Sequence, residues 1–242
     1  MKIKIQKKYL IFPVNTFLPR KKLMFKIDGE TVYSLNIKLD NYAPDFFAYI
    51  DVSRFMDKEI ELDVNPETEI NFKESDTMEL ENLYSEPLRP QVHFSTKNGW
   101  INDPNGLIYL NGVYHMFYQY NPAEPEWENM HWGHAQSRDL VHWEEKDTAL
   151  FPDSRGTMFS GSAFLDEKNV SGLKDGENNA ALLFYTATEP FCQYMSYSTD
   201  DFKTIAHYGK QPVVPHILDC NRDPKVVFCD ELNCYIMALY LG

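Results

Sequence analysis

Three polar clusters recur at regular intervals in this 242-residue sequence, and two of them contain an aspartate. Asp103 in WINDPNG, Ser160 in FSGSA and Asp223 in NRDPK lie 57 and 63 positions apart. Carboxylates brought to one place can cleave a bond by hydrolysis or bind a metal ion. Asn, Asp, Gly and Ser also form turns, so each cluster taken alone could be only a turn. The similar spacing favours a shared chemical site.

A metal centre is the weaker of these two interpretations. His131 and His134 are three residues apart, which places them on opposite faces of a strand. We expect one of them to be buried and hydrogen-bonded and the other to lie near the rim of the site. The sequence also contains no calcium-binding loop of the Asp, Glu and Asn type. No metal and no other cofactor is therefore predicted.

A nucleophilic serine is also a poor interpretation of the FSGSA cluster. The cluster is not G-x-S-x-G, and it precedes a strand instead of joining a strand to a helix. We expect Ser160 to hydrogen-bond a ligand hydroxyl or to form a turn.

Cleavage of a glycosidic bond fits the carboxylates best. This reaction needs an ionised carboxylate facing the anomeric carbon and a protonated carboxyl at the leaving oxygen. Backbone amides and Asn102 are expected to keep Asp103 charged, and Pro104 stiffens the backbone that aims it. Arg222 is expected to lower the pKa of Asp223, which makes Asp223 a poor proton donor. A third carboxyl with a raised pKa is therefore needed.

Short alternating strands are the elements that must position these residues, and the predicted fold class is all-β. Residues 20–64 contain such runs around an Asp28-Gly29 hairpin turn, which is typical of a small antiparallel, sandwich-like β domain. An irregular acidic stretch with several prolines follows, up to about Pro90. We predict two domains, residues 1–86 and 87–242.

The second domain is expected to be an incomplete β-propeller. After Pro90 a polar cluster, a strand, a turn and an aromatic-rich strand recur with a period of about 60, the length of a four-stranded blade with generous loops. The inner strands of a propeller bring equivalent polar residues to one rim of the channel. The chain holds about two and a half such blades, and at least four are needed to close a ring. We expect polypeptide outside this sequence to complete it.

Composition and charge narrow the partners and the compartment. A net charge of −13 argues against nucleic acid, whereas 14% aromatic residues suit a neutral sugar. No stretch is long and apolar enough for a membrane span. The N-terminal MKIKIQKKYLIFPV is interrupted by Pro13 and lacks a cleavage site, so a cytoplasmic location is expected. Cys229 and Cys234 flank a predicted hairpin turn and could pair in an oxidising compartment.

Five segments of the second domain together resemble the conserved blocks of glycoside hydrolase family 32. In chain order they are WINDPNG, HMFYQYNP, HWGHAQSRDLVHW, FSGS and NRDPK. The family contains invertases, inulinases and levanases. Residues 1–86 are similar to the extra N-terminal β domain of some bacterial levanase-like and exo-inulinase-like members.

The resemblance implies a five-bladed propeller followed by a β-sandwich, and retaining hydrolysis of terminal β-D-fructofuranosyl bonds in levan, inulin or sucrose. It makes Asp103 the nucleophile and Asp223 the stabiliser of the oxocarbenium-like transition state, with Arg222 beside it. The pocket for the terminal fructose would be lined by Asn102, Gln119, Trp127, Phe159, Ser160 and Arg222.

The proton donor is the part of the family pattern that this sequence lacks. In the family it is a glutamate in a Glu-Cys block, and one further period of about 60 places it roughly at position 280. Glu124, Glu126, Glu128 and Glu189 are not expected to replace it. The isolated chain is thus expected to be inactive until its C-terminal segment is supplied. A non-catalytic fructan-binding protein, a fructosyltransferase and an inverting arabinan-cleaving enzyme remain alternatives.

Overall fold

The computed structural model describes residues 1–242 and contains 17 β-strands and one short 3-10 helix, Ser53–Phe55. The predicted all-β class is confirmed. The chain divides into two compact units. Unit 1 comprises Met1–Ile101, Tyr120–Met130 and Pro152–Ser154, and unit 2 comprises Asn102–Gln119, His131–Phe151 and Arg155–Gly242. The predicted boundary at residues 86 and 87 stays a prediction. No helix is long and apolar enough to cross a membrane.

The first seven strands form two antiparallel sheets in unit 1. They are β1 (Lys2–Lys4), β2 (Tyr9–Val14), β3 (Lys21–Ile27), β4 (Glu30–Ile37), β5 (Phe46–Asp51), β6 (Glu59–Asn65) and β7 (Lys73–Ser75). The sheet orders are β1-β6-β3-β4 and β5-β2-β7. The predicted hairpin is present: Asp28 and Gly29 both have positive φ, as a two-residue β3–β4 turn requires. A face-to-face sandwich of the two sheets stays a prediction.

The other ten strands form three further antiparallel sheets in which chain neighbours are spatial neighbours. The orders are β11-β10-β9-β8, β12-β13-β14-β15 and β16-β17. The strands are β8 (Trp100–Leu110), β9 (Val113–Asn121), β10 (His131–Ser137), β11 (Trp143–Leu150), β12 (Met158–Leu165), β13 (Ala181–Thr188), β14 (Phe191–Ser198), β15 (Ala206–His207), β16 (Arg222–Cys229) and β17 (Cys234–Tyr240). This succession of small up-and-down sheets resembles part of a β-propeller. A five-bladed ring stays a prediction.

One apolar core serves the first two of these sheets. Phe117 on β9 packs on Trp132 of β10 with ring centroids 5.7 Å apart, and Trp132 meets Tyr185 of β13 at 6.1 Å. The WINDPNG segment reaches this core through Gly106, whose φ is +54°. A Cβ at Gly106 would lie 2.7 Å from the Phe117 ring and 2.8 Å from the Trp132 ring. Only glycine therefore fits where β8 rests on the core.

Polar side chains join each sheet to the next. Trp132 Nε1 donates to the carbonyl of Phe159 at 3.0 Å, which fixes the start of β12 against the preceding sheet. Ser162 on β12 donates from Oγ to the carbonyl of Pro224 at 2.8 Å and accepts the amide of Val226 at 3.0 Å. The strands that carry the three polar clusters are thus fixed to one another.

Candidate active site

Asp103 lies near the start of β8, with its side chain exposed to solvent. Its Oδ2 accepts a hydrogen bond from the Ser160 hydroxyl at 3.0 Å. Both residues lie within strands, so the interpretation of these clusters as turns is wrong. The Ser160 hydroxyl donates to Asp103, which leaves Ser160 only as an acceptor toward any ligand hydroxyl. The pair is an exposed carboxylate with one of its two oxygens fixed by a hydroxyl.

Asn105 supports this pair and was not singled out from the sequence, because the second asparagine of NDPNG has the composition of a turn. The residue is buried, and its Nδ2 donates to Ser160 Oγ at 3.4 Å. Its Oδ1 is buried without a hydrogen-bond partner. A chain of contacts therefore runs from Asn105 through Ser160 to Asp103.

Asp223 lies at the start of β16, with a φ of +59° and a side chain that is 43% exposed. Partial burial raises the pKa of its carboxyl, Arg222 lowers that pKa, and the charge of Asp103 raises it; the net shift is upward. Arg222 does lower the pKa of Asp223, as predicted, but burial outweighs it, so the prediction of a net lowered pKa is wrong. Adjacency in sequence showed the cation but not the loss of water around the carboxyl.

Arg222 divides its contacts between its neighbour and other groups. Its Nε lies 3.3 Å from Asp223 Oδ2. The rest of the guanidinium stacks over the Tyr240 ring at 4.2 Å and bonds to the sulfur of Cys220 at 2.9 Å. A two-pronged arginine–carboxylate pair would hold the carboxylate charge more strongly. This geometry is consistent with a raised pKa at Asp223.

The backbone of Asp223 is held by the preceding sheet. Its amide donates to Thr186 Oγ1 at 3.2 Å, and that hydroxyl donates to Gln193 Oε1 at 2.6 Å. Gln193 Nε2 then donates to the carbonyl of Asn221 at 3.1 Å. All the side chains of this network except that of Asp223 are buried. Sequence reasoning missed Thr186 and Gln193, whose only signal is that they are polar residues in otherwise apolar strands.

The structure brings both aspartates into one electrostatic neighbourhood, since the charge of Asp103 shifts the pKa of Asp223. Ser160 and Arg222 contact one aspartate each, at 3.0 and 3.3 Å. Asn102 is exposed next to Asp103 in the chain. The cluster thus contains two carboxyls, one arginine and several hydroxyl and amide groups, which is a set suited to a neutral polyhydroxy ligand.

The other residues predicted to line the pocket occupy different environments. Gln119 is buried and its Nε2 donates to the carbonyl of Met158 at 2.9 Å. Phe159 places its ring edge-on to Phe191 at 5.8 Å. Trp127 belongs to unit 1, where its side chain is 55% exposed. Contact between these residues and a sugar stays a prediction.

The two histidines of HWGH are both buried, so the expectation that one lies near the rim is wrong. His134 Nε2 lies 3.0 Å from His115 Nδ1, and burial lowers the pKa of His134 to about 3. His131 meets Phe151 edge-on at 5.7 Å. Both rings are interior parts of β10, which sequence spacing alone could not indicate. Cys229 and Cys234, which flank the predicted hairpin turn, face each other across β16–β17 as free thiols.

Comparison with known proteins identifies relatives that cleave sugar chains by name, in agreement with the carboxyl and hydroxyl groups of this site. The family described as "Glycosyl hydrolases family 32 N-terminal domain" matches residues 93–241. The levanase of Bacillus subtilis is 44% identical over 162 residues, which cover 66% of this chain and 24% of the levanase. Among solved structures, the exo-inulinase of Aspergillus awamori has a TM-score of 0.58 and 36% identity, covering 64% of this chain and 36% of that one.

A third relative is the fructofuranosidase of Schwanniomyces occidentalis, solved in complex with fructose. It has a TM-score of 0.60 and 35% identity, and the match covers 66% of this chain and 33% of that one. The chain therefore spans about a quarter to a third of the length of these relatives. The family match over residues 93–241 agrees with the small antiparallel sheets and with the spacing of the polar clusters. The chain belongs to glycosyl hydrolase family 32.

Proposed function

We propose that this chain supplies the nucleophile and the transition-state stabiliser of a β-fructofuranosidase that acts with retention on levan, inulin or sucrose. The observation that carries the proposal is the pair of aspartates, with one oxygen of Asp103 fixed by Ser160 and Asp223 within range of its charge. Family membership and relatives named levanase, exo-inulinase and fructofuranosidase support the substrate class.

In the proposed reaction, Oδ1 of Asp103 attacks the anomeric carbon of the terminal fructosyl unit. The glycosidic bond breaks, its electron pair goes to the leaving oxygen, and that oxygen takes a proton from a general acid. Water then cleaves the fructosyl–Asp103 ester, giving its proton to the conjugate base of the same acid. Two displacements at one carbon retain its configuration. Ser160 leaves the attacking oxygen free because it holds the other one.

We assign Asp223 and Arg222 to the sugar hydroxyls and to the positive charge that develops on the ring. The raised pKa of Asp223 would also suit a proton donor, and a substrate with a good leaving group separates the two roles. We keep the general acid outside residues 1–242, since the repeat places the next inner strand beyond Asp223 by a further period. The isolated chain is then inactive in hydrolysis.

The experiment is to produce the 242-residue chain alone and together with its C-terminal remainder, and to measure fructose release from levan, inulin and sucrose. Release is expected only from the combination, and Asp103→Asn should reduce kcat by at least about 10⁴-fold. Full activity of the 242-residue chain, or an unchanged rate in Asp103→Asn, contradicts the proposal.

A substrate with a good leaving group, p-nitrophenyl β-D-fructofuranoside, separates the roles of the two aspartates. It needs little proton donation, so its rate is insensitive to loss of a general acid. Asp223→Asn should therefore impair sucrose and this substrate alike. Selective recovery of the nitrophenyl substrate would instead identify Asp223 as the proton donor.

A further inference from the structure

The loop between β9 and β10, residues 122–130, is held by the N-terminal strands of the same unit. We call it the acidic loop, because Glu124, Glu126 and Glu128 alternate along it. Trp127 lies between the last two glutamates, with a side chain that is 55% exposed. The proposed function assigns no role to residues 1–86, and the contacts of this loop indicate one.

One guanidinium connects all three glutamates. Arg20, immediately before β3, places Nε 2.9 Å from Glu124 Oε2, Nη2 2.8 Å from Glu126 Oε2 and Nη1 3.4 Å from Glu128 Oε2. The Glu124 side chain has no exposed area, whereas that of Arg20 is 31% exposed. A planar fork can serve several carboxylates in fixed directions, which a lysine ammonium cannot.

Two further residues near the end of β4 hold the same loop. The backbone amide of Asn36 donates to Asn129 Oδ1 at 2.6 Å, and Asn129 Nδ2 donates to the carbonyl of Asn36 at 2.7 Å. This two-way bond imitates the pairing of neighbouring strands. Lys38 Nζ lies 3.1 Å from Glu126 Oε2 and also donates to the carbonyl of Thr16 at 3.0 Å. The loop is therefore anchored on both sides of Trp127.

The loop also fixes its own shape. Asn121 Nδ2 donates to the carbonyl of Glu126 at 2.9 Å, and its Oδ1 accepts the amide of Ala123 at 3.0 Å and Asn129 Nδ2 at 3.2 Å. These bonds close the loop across its base. Trp127 is thus carried by a backbone with internal as well as external supports.

Stability alone does not account for this arrangement. Burial raises the pKa of Glu124 while Arg20 lowers it, so removal of the carboxylate from water opposes the ion pair. A buried ion pair of this kind contributes little net stability compared with apolar packing, but it selects one conformation. A fixed loop that presents a half-exposed tryptophan is typical of a ligand contact, because an aromatic face packs against the apolar face of a sugar ring.

We infer that Arg20, Asn36 and Lys38 are positioning residues through which the N-terminal sheet holds Trp127 as a face for a neutral sugar ring. The inference rests on the proposed function for the identity of the ligand, whereas the anchoring itself does not. Loss of the anchor should weaken sugar binding and raise KM, with kcat little changed, because the proposed reaction gives none of these residues a part in bond breaking.

Fluorine NMR of the 5-fluorotryptophan-labelled 242-residue chain tests the anchor without any activity. The four tryptophans give four resonances, and Trp127→Phe identifies the one from Trp127. Arg20→Ala should shift or broaden that resonance alone, and Arg20→Lys should restore it only in part. The control is Lys26→Ala, which removes the 2.6 Å ion pair to Asp63 from the same sheet without touching the loop. An unmoved Trp127 resonance in Arg20→Ala overturns the inference.

Arg20→Ala leaves Glu124 buried without its cation, so Arg20→Ala/Glu124→Gln is the second variant in case the first does not fold. In the enzyme assembled with its C-terminal remainder, either variant should raise KM for 1-kestose about 10-fold with kcat within about 2-fold. Trp127→Phe should do the same, and adding it to Arg20→Ala should give little further loss. A displaced Trp127 resonance with an unchanged KM overturns the sugar contact. If the unmodified assembly releases no fructose, the proposed function fails, while the NMR result still decides the anchor.

Discussion

Asp103 and Asp223 occupy the same place in two repeats, each followed by a proline near the start of an inner strand, yet their surroundings differ. Asp103 is held by a neutral hydroxyl from β12. Asp223 is held by a neighbouring arginine, and its backbone amide is bonded to the sheet before it. The repeat therefore supplies the position of a carboxyl, and the residues around it decide what that carboxyl can do.

Two serines on β12 contact the two strands that carry Asp103 and Asp223. Ser160 reaches a side chain, the Asp103 carboxylate, at 3.0 Å. Ser162 reaches the backbone of β16, donating to Pro224 and accepting from Val226. Loss of the first hydroxyl removes a contact of the exposed Asp103 carboxylate and a long bond from Asn105, whereas loss of the second removes the partner of two buried backbone groups.

Ser162→Ala should therefore give the largest change in stability. An unsatisfied buried polar group costs about 1–3 kcal/mol, so we expect the free energy of unfolding to fall by about 2–4 kcal/mol. Chemical denaturation followed by tryptophan fluorescence measures it. The matched control is Ser160→Ala on the same strand, which should cost less, about 1 kcal/mol, because Asp103 is exposed to water and the bond from Asn105 Nδ2 is long at 3.4 Å. Equal losses in the two variants would mean that the bonds from Ser162 to the β16 backbone stabilise the fold no more than the bond from Ser160 to Asp103.

Thr186→Val should give the next largest effect, because it removes the acceptor of the Asp223 amide and the donor to Gln193 while keeping the side-chain volume. In the assembled enzyme we expect kcat/KM for sucrose to fall about 10-fold. The control is Thr188→Val, two residues further along β13, which removes the 3.1 Å bond from the Thr157 amide instead. An equal loss of activity in Thr188→Val would point to general damage to β13 instead of displacement of Asp223.

Much of the architecture could be predicted from the sequence, because strand alternation and the spacing of polar clusters are local features. The Asp28-Gly29 hairpin and the succession of small antiparallel sheets are examples. The contact between Ser160 and Asp103 joins residues 57 positions apart. The repeat predicted that the two would meet, but not that the serine would donate to the aspartate.

The predictions that were wrong concern residues whose environment depends on burial by distant parts of the chain. Both histidines of HWGH are interior, since β10 is covered on both faces, and a strand pattern alone suggests one exposed face. Arg222 was visible beside Asp223, whereas the loss of water around that carboxyl results from chain segments distant in sequence. Asn105, Thr186 and Gln193 were missed for the same reason, since their partners belong to other strands.

The smallest predicted effect concerns the charge that links the two aspartates. The charge of Asp103 raises the pKa of Asp223 and Arg222 lowers it, so Asp103→Asn should lower that pKa and Arg222→Gln should raise it. We expect changes under about one pH unit, because the Asp223 carboxyl is partly exposed and solvent screens the interaction. Carbon-13 NMR of the aspartate carboxyls across a pH titration measures both, with Asp223→Asn identifying the resonance.

The sign of the stability change follows from the same shift. Because the pKa of Asp223 is raised, the folded chain keeps a proton that the unfolded chain has lost between the ordinary and the raised value. The free energy of unfolding should fall as pH rises through that window. Asp223→Asn should remove this fall. The variant should therefore be at least as stable as the parent at pH 7, and it should lose this advantage below pH about 3. If the stability of the parent instead rises through this window relative to Asp223→Asn, then Asp223 behaves as an ordinary paired carboxylate. The contrast between Asp223 and Asp103 would then be one of geometry alone.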